Sequence, residues 1–295
     1  MNIIGKSKML IFAAVVIVAL SFIIIAVFGL HPSIDLVGGT EWQINFLDKE
    51  VSSNEVKSFL TSEFEVEVSA KEMSTGDIII RLPDIDHTKH QAYKKSLETE
   101  FGEMKEKSFS SVGPIVGQEL KEKAMWAMLG VLLGISLFVM WAFRKVSGII
   151  SSWKYGITTL VTLVHDIAIP TGLLALLGYL QGVEVSITSI VALLVILGFS
   201  VNDTIVVMDR IRENLTLSGG KKINLKETIN KSVNETIMRS VNTSLTLIIV
   251  LLFLLFLGPQ SLFYFVLIIL VGTVFGTYSS IFVASPILYL WGRER

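Results

Sequence analysis

The chain contains no cysteine and few charged residues. Asp, Glu, Lys and Arg make up 17% of its 295 residues, against about 25% in an ordinary soluble domain. Without cysteine there is neither a disulfide nor a thiolate metal ligand, so any exported domain must be stabilised by its own core. Apolar residues reach 52%. This composition excludes an ordinary soluble protein and indicates a membrane protein.

The apolar residues are clustered into windows of about 20 residues, which is enough for a helix to cross a bilayer. Three of these windows, the first, second and sixth, contain no charged residue at all. We therefore predict a multi-span α-helical membrane protein with six transmembrane helices. The windows are Met9–Phe28, Ala124–Phe143, Tyr155–Tyr179, Val185–Met208, Ile237–Leu257 and Leu262–Leu290.

A polar block between the first two windows is long enough to fold as a domain. The predicted organisation is an N-terminal end with helix 1 (residues 1–29), a polar domain (30–123), and helices 2–6 with their loops and the C-terminus (124–295). The first window is too long for the core of a cleavable signal peptide, and no small-x-small cleavage site follows it. We expect it to be a retained signal anchor.

The basic residues of the termini and short loops orient the chain. The two turns on the opposite side, around Gln181–Glu184 and Gly258–Ser261, contain no Lys or Arg. By the positive-inside rule both termini are expected to be cytoplasmic. Block 30–123, with 11 Lys and Arg against 18 Asp and Glu, is then extracytoplasmic. The basic side holds Lys6, Lys8, Arg144, Lys145, Lys154, Arg210, Arg212, Lys221, Lys222, Lys226, Lys231, Arg293 and Arg295.

The polar block has the pattern of an α+β domain. Alternating and helix-favouring segments follow one another in the order β-α-β-β-α-β, which is the ferredoxin-like arrangement. The block contains no cluster of metal ligands, so we predict a protein-binding module without a metal. The predicted elements are Glu41–Phe46, Ser53–Phe64, Glu65–Ser69, Asp77–Leu82, His87–Phe101 and Met104–Val112.

Asp203 lies inside the fourth apolar window, just before a charged segment that begins at Asp209. An acidic group at membrane depth costs roughly 2.5–3.5 kcal/mol on insertion scales, and such groups usually serve ion movement or pairing. Oxygen atoms of Asp203, Asn202 and Thr204 suit either H⁺ or Na⁺. We therefore predict an ion-coupling site here, without a cofactor and with the coupling ion left open.

Two further polar positions lie in the membrane windows. His165 and Asp166 fall near the middle of the third window, and Arg239 opens the fifth at a depth compatible with Asp203. Together, Asp166, Asp203 and Arg239 could form a proton pathway, in which the Arg stabilises the charged form of a nearby carboxylate. An Asp203–Arg239 pair that only fixes helix register is the alternative, and His165 could simply satisfy a neighbouring polar group.

Five segments in order along the chain resemble SecF, the accessory subunit of bacterial protein export. They are Asp35-Leu-Val-Gly-Gly-Thr40, Val112-Gly-Pro-Ile-Val-Gly117, His165-Asp166, Ser200-Val-Asn-Asp-Thr-Ile-Val-Val-Met-Asp-Arg-Ile-Arg-Glu-Asn214 and Arg239-Ser-Val-Asn-Thr-Ser244. Leu36 and Met208 stand where the family usually has an aromatic residue, and both changes are conservative.

The resemblance implies a function and a set of partners. A SecF-like subunit works with SecD, docks on the SecYEG channel in the bacterial inner membrane, and uses the proton-motive force to promote export of unfolded polypeptide. Asp203 and Arg239 match the proton-path residues of that family. SecA and YajC are further expected partners, together with membrane lipid, while nucleic acid is not expected.

Two other classes of function compete with this one. An ion-coupled small-molecule exporter of the resistance-nodulation-division type shares the six-span unit, but such exporters usually have twelve spans and two large exported domains. An intramembrane aspartyl protease would pair Asp166 with Asp203. Such enzymes use a Gly-x-Gly-Asp string, whereas Asp203 follows Ser-Val-Asn, so we do not expect an enzyme.

Overall fold

A computed structural model describes residues 2–47, 49–73, 76–144, 150–217 and 224–292. Five of the basic residues that orient the chain lie outside these ranges: Lys145, Lys221, Lys222, Arg293 and Arg295. The chain divides into two compact units. The first comprises Met1–His31 with Trp126–Arg295, and the second comprises Pro32–Met125.

Among the described residues, helices and strands alternate only in the second unit. In chain order the elements are α1 (Ser7–Phe28), α2 (Ile34–Val37), β1 (Gly39–Phe46), α3 (Ser53–Phe64), β2 (Ser69–Glu72), β3 (Ile78–Leu82), α4 (His87–Phe101), β4 (Met104–Val112), α5 (Pro114–Ala142), α6 (Ser152–Gln181), α7 (Ile187–Leu217), α8 (Leu225–Leu257), α9 (Phe263–Ser279) and α10 (Ser285–Gly292). A π-helical turn, Ser280–Ala284, joins α9 to α10.

Within the described residues, six helical segments are long and apolar enough to cross a membrane, which confirms the predicted number and order of spans. They correspond to α1, α5, α6, α7, α8 and the α9–α10 segment. Several run beyond the apolar windows. α7 continues past Met208 to Leu217 and α8 begins at Leu225, because polar side chains such as Arg210 and Glu213 pair one turn apart and favour continued helix.

The spans differ in how much of each is buried within the chain. α6, α7 and the α9–α10 segment are the most buried, whereas α1, α5 and α8 are mostly exposed. α9 packs against α6, α7 and α8. The N-terminal segment is fixed to this bundle: Ile3 and Ile4 are buried in its core, and the Ile4 backbone N–H donates to Asn230 Oδ1 at 3.0 Å.

Glycine allows α7 and α9 to approach closely. A Cβ atom placed on Gly276 would lie 2.9 Å from Ser200 Cβ, and one on Gly272 would overlap the Ile196 side chain. By contrast, a Cβ on Gly130 of α5 meets no atom within 4 Å. The small residues of α9 therefore determine how close the two central helices are.

The second unit contains a four-stranded antiparallel sheet with the strand order β2-β3-β1-β4. Together with α3 and α4, the strands follow the expected β-α-β-β-α-β order of the ferredoxin-like pattern. The core is formed by side chains such as Trp42, Leu60 and Leu97, all fully buried. This arrangement confirms the α+β prediction for the polar block.

The second strand was predicted too early, at Glu65–Ser69. In the structure β2 covers Ser69–Glu72 and pairs with β3 from the Ser69–Arg81 pair onward. Glu65 ends α3 in the left-handed region, with φ of 52°. The residues between Glu65 and Ser69 therefore turn the chain back to the sheet, and their alternating apolar pattern reflects burial of Val68 rather than strand pairing.

The start and the end of the second unit are in direct backbone contact. A Cβ on Gly38 would lie 2.5 Å from Pro114 Cα, and one on Gly117 would lie 2.5 Å from the Gly38 nitrogen. Gly38 also has a positive φ of 82°, which only glycine adopts without strain. One glycine of each motif, Gly38 in the first and Gly117 in the second, is thus explained by this crossing point.

Candidate functional site

Asp203 lies where α7, α8 and α9 meet. Its side chain is 2% exposed, and its Oδ2 atom accepts a hydrogen bond of 3.0 Å from the Ser244 hydroxyl on α8. The Thr277 hydroxyl of α9 donates to Ser244 Oγ at 2.5 Å. One carboxylate is therefore linked to two neighbouring helices by a pair of hydroxyl groups.

Asp166 forms a second buried acid site between α6, α7 and α9. It is fully buried, and its Oδ1 atom lies 2.8 Å from His165 Nδ1. Its Oδ2 atom accepts hydrogen bonds from Ser200 of α7 and from Ser279 of α9, the latter at 2.8 Å. Both oxygens of this carboxylate therefore have partners.

The hydroxyl groups suit a carboxyl group that changes its proton occupancy. A hydroxyl both donates and accepts, whereas a Lys or Arg only donates. Ser244 and Ser279 can therefore bind a charged carboxylate as donors and a neutral carboxylic acid as acceptors. A buried carboxylate held in this way is chemically able to take up and release a proton without leaving either form unpaired.

Further buried polar atoms around these sites have no hydrogen-bond partner among the described residues. They include Thr204 Oγ1 next to Asp203, and His165 Nε2 on the far side of the imidazole ring. Ser240 Oγ and Thr273 Oγ1 also belong to this set. Buried polar groups normally have a partner, and unpartnered atoms also occur elsewhere in the first unit, such as Tyr155 Oη and Ser285 Oγ.

Arg239 and Asn202 are placed differently from the two acids. Both are exposed on the surface of the first unit, and the structure gives Arg239 no ion pair with any described residue. Arg239 borders a cleft of about 450 Å³ between α7 and α8, where Arg210 pairs with Glu213 at 2.6 Å and with Glu235 at 2.7 Å. The structure thus does not bring Arg239 to Asp203.

Sequence reasoning missed the residues that hold the two acids. The roles of Ser200, Ser244, Thr277 and Ser279 were not predicted, although all four lie inside apolar windows. A usable signal was present, because hydroxyl residues recur one helical turn apart on both α8 and α9. These pairs are Ser240 with Ser244 and Thr273 with Thr277.

Comparison with known proteins places this geometry in a family. Residues 92–294 match the family described as "Protein export membrane protein SecD/SecF, C-terminal". The chain is 39% identical over 284 residues to the protein translocase subunit SecF of Thermobaculum terrenum, covering 92% of this chain and 88% of that protein. It is 32% identical over 295 residues to SecF of Anaerolinea thermophila, covering 99% and 94%.

The chain belongs to the SecF family. The resemblance drawn from its five motifs is thereby confirmed, and the relatives do not favour the small-molecule exporter. The chain is also similar to the crystal structure of SecDF from Thermus thermophilus, described as a translocon-associated membrane protein, with a TM-score of 0.82 and 33% identity. That match covers 100% of this chain and 39% of the longer one. These findings show that the chain is a multi-pass membrane protein of SecF type.

Proposed function

We propose that this chain is a protein-export accessory subunit which, with a SecD partner, uses the proton-motive force to promote translocation of polypeptides through the SecYEG channel. Support comes from family membership and from relatives that are named protein translocase subunits. The chain acts as part of a transport machine rather than as an enzyme. Asp166 and Asp203 each have their own hydroxyl partners, which speaks against a shared catalytic dyad.

The observation that carries this proposal is the pair of buried carboxylates, each bound by groups that suit two proton states. Asp203 and Asp166 lie inside α7 and α6. Asp203 is bound by a hydroxyl group and Asp166 by two hydroxyl groups and the His165 imidazole, and neither pairs with a Lys or Arg of the described residues. Moving one elementary charge across 100 mV yields about 2.3 kcal/mol. Proton passage through the two sites is thus an adequate energy source for a change in helix packing. Na⁺ is the alternative coupling ion.

An exposed polar surface on α7 and α8 supports a protein partner in the membrane. Asn202, Arg239, Asn242, Thr243 and Thr246 are all exposed, although they lie on helices that can span a membrane. Polar side chains are costly against lipid tails and usually face another helix. SecDF of Thermus thermophilus combines both subunits in its name and includes a region matching this whole chain. A SecD-type partner is therefore the proposed occupant of this surface.

The proposed orientation places both termini in the cytoplasm of a bacterial cell and the second unit outside the inner membrane. It is supported by the basic residues of the short loops, among which Arg210 and Arg212 belong to the described part of the chain. The acidic second unit then meets the exported polypeptide. SecA and YajC belong to the same proposal as expected members of the assembly.

The test is gradient-dependent export in reconstituted vesicles that contain SecYEG, SecA, a SecD partner and this chain. Asp203→Asn keeps the size of the side chain but fixes it in a neutral form. We expect normal insertion, normal copurification with SecD, and export reduced to the level measured without a gradient. Ser62→Ala, on the exposed surface of α3, is the control. Wild-type export that does not respond to a proton or sodium gradient would contradict the proposal.

A further inference from the structure

α9 supplies one hydroxyl group to each of the two acid sites. Ser279 donates directly to Asp166 at 2.8 Å, and Thr277 donates to Ser244, which donates to Asp203. Thr277 and Ser279 are two residues apart, so their side chains leave the helix about 200° apart. α9 therefore lies between the two acids and is hydrogen-bonded towards both.

The backbone leaves regular α-helical geometry immediately after Ser279. Residues Ser280–Ala284 form a π-helical turn, and α10 begins at Ser285. Such turns are rare in helices and are frequent at functional sites. Because this turn follows the residue that binds Asp166, the segment has a place where its backbone hydrogen bonds can rearrange when α9 shifts.

We infer that Thr277 and Ser279 are positioning residues that couple the packing of α9 to the proton occupancy of Asp203 and Asp166. The inference rests on the proposed function, because it takes the two acids as proton carriers. A hydrogen bond to a charged carboxylate is roughly twice as strong as one to a neutral group. Protonation therefore weakens one attachment of α9, directly at Asp166 and through Ser244 at Asp203. Gly272 and Gly276 contribute no side chain of their own to the contact of α9 with α7.

Other titratable groups lie on the helices packed against α9 and its π-helical turn, and their effects must be separated from those of the two acids. His165 is bonded to Asp166, and the Tyr278 ring is stacked with the His165 ring at 6.2 Å. Because His165 contacts the carboxyl group directly, the test includes a variant of Asp166 itself. By element, these groups include His165 on α6, Asp209 on α7, Glu235 and Arg239 on α8, Tyr278 on α9 and Lys8 on α1.

The first experiment measures the melting temperature of the purified full chain at pH 5 and at pH 8. In Ser279→Ala the charged Asp166 carboxylate has lost a hydrogen-bond donor. The melting temperature should therefore fall by about 2–4 °C more at pH 8 than at pH 5. In an Asp166→Asn background this pH-dependent difference should vanish. Ser280→Ala is the matched control, since its hydroxyl donates only to the Thr277 carbonyl, at 2.9 Å.

Thr277→Val should likewise lower the melting temperature more at pH 8 than at pH 5. This pH-dependent difference should vanish in an Asp203→Asn background. The inference would be wrong if the melting temperature fell equally at both pH values, or if a pH-dependent fall remained after the acid had been replaced. Either result would mean that the hydroxyls only support packing. The same conclusion would follow if Ser280→Ala reproduced the effect. This experiment needs no transport, so it decides the inference even if the proposed function fails.

The second experiment measures gradient-dependent export as a function of pH in vesicles with the SecD partner. Ser279→Ala should move the pH of half-maximal export upward by about one unit, because the charged form of the carboxyl group has lost a stabilising donor. Ser280→Ala should keep the wild-type profile. An unchanged profile in Ser279→Ala overturns the inference. Absence of gradient dependence in the wild type overturns the proposed function instead.

Discussion

Ser244, and not Arg239, is the residue of α8 that binds Asp203, through a hydrogen bond of 3.0 Å. The two α8 residues are five positions apart, which corresponds to about 140° around a helix. Ser244 consequently faces the buried junction with α7 and α9, while Arg239 faces away and is exposed. A role for Arg239 in proton coupling must therefore be exercised at the exposed surface of α8 in this conformation.

Replacing Arg239 tests whether this residue acts independently of Asp203. Arg239→Met should leave the amount of inserted chain unchanged and should abolish gradient-dependent export, because an exposed guanidinium at membrane depth is available to a partner's groups. The double variant Asp203→Asn with Arg239→Met should be no more active than either single variant, since the structure gives no ion pair to be relieved. Export rates with and without a gradient are the measurement, and Lys231→Met, on an exposed part of α8, is the control. Recovery of export in the double variant would contradict this expectation.

The close approach of α7 and α9 makes a prediction about stability. Gly276→Ala places a methyl group 2.9 Å from Ser200 Cβ, and overpacking of this kind costs about 1–3 kcal/mol. The melting temperature of the purified chain should fall. Gly130→Ala adds the same group where no atom lies within 4 Å, and should not destabilise the chain. Equal behaviour of the two variants would show that the α7–α9 contact is looser than the structure indicates.

The proposed orientation can be tested with single cysteines, because the chain has none of its own. Ser62→Cys lies on the exposed face of α3 and Thr216→Cys on the exposed last turn of α7. An impermeant maleimide should label Ser62→Cys in cells whose outer barrier has been removed. Thr216→Cys should be labelled only after the inner membrane is opened. The opposite pattern would reverse the topology.

The second unit should fold by itself. Residues 32–125, expressed alone, are expected to give a soluble α+β domain without metal, because they have their own buried core around Trp42 and Leu60. Leu60→Ala should lower its free energy of unfolding by about 2–5 kcal/mol, while the exposed Ser62→Ala should change it by less than about 0.5 kcal/mol. Circular dichroism during urea unfolding measures both. A disordered spectrum for the parent fragment would contradict the prediction.

Glu55 makes the stability of the isolated second unit depend on pH. The Ser52 backbone N–H and hydroxyl, which bind its carboxylate at 2.8 and 2.9 Å, lower the pKa of Glu55 below 4.5. The contribution of this capping box is therefore complete above about pH 4.5 and is lost as the pH falls through the lowered value. Glu55→Gln should flatten this part of the stability profile between pH 5 and pH 2. Glu63→Gln, on the exposed side of the same helix, should retain it, and a profile unchanged by Glu55→Gln would exclude the effect.

Hydropathy was sufficient to predict the six spans and their order, because each apolar run is long. Charged residues interrupt these runs only at Asp166, Asp203 and Arg239. The compatible depths of Asp203 and Arg239 in the membrane remain a prediction. The direction of each side chain around its helix could not be predicted, since it depends on which face of α8 packs against α7. The hydroxyl partners of Asp166 come from α7 and α9, separated from it by 34 and 113 residues. Such contacts follow from the packing of helices and not from local sequence.

The crossing of Gly38 with Pro114 and Gly117 has a mechanical consequence. The segment that leads into β1 and the segment that follows β4 leave the sheet side by side at this point. β1 and β4, which begin and end the fold, are paired side by side from Gly39–Val112 to Phe46–Met104. Force that separates the two segments at the crossing acts only on the Gly39–Val112 end of the ladder. Force carried by both segments together does not pull the two strands apart. The crossing therefore protects the end of the ladder at which the fold would begin to open from its termini.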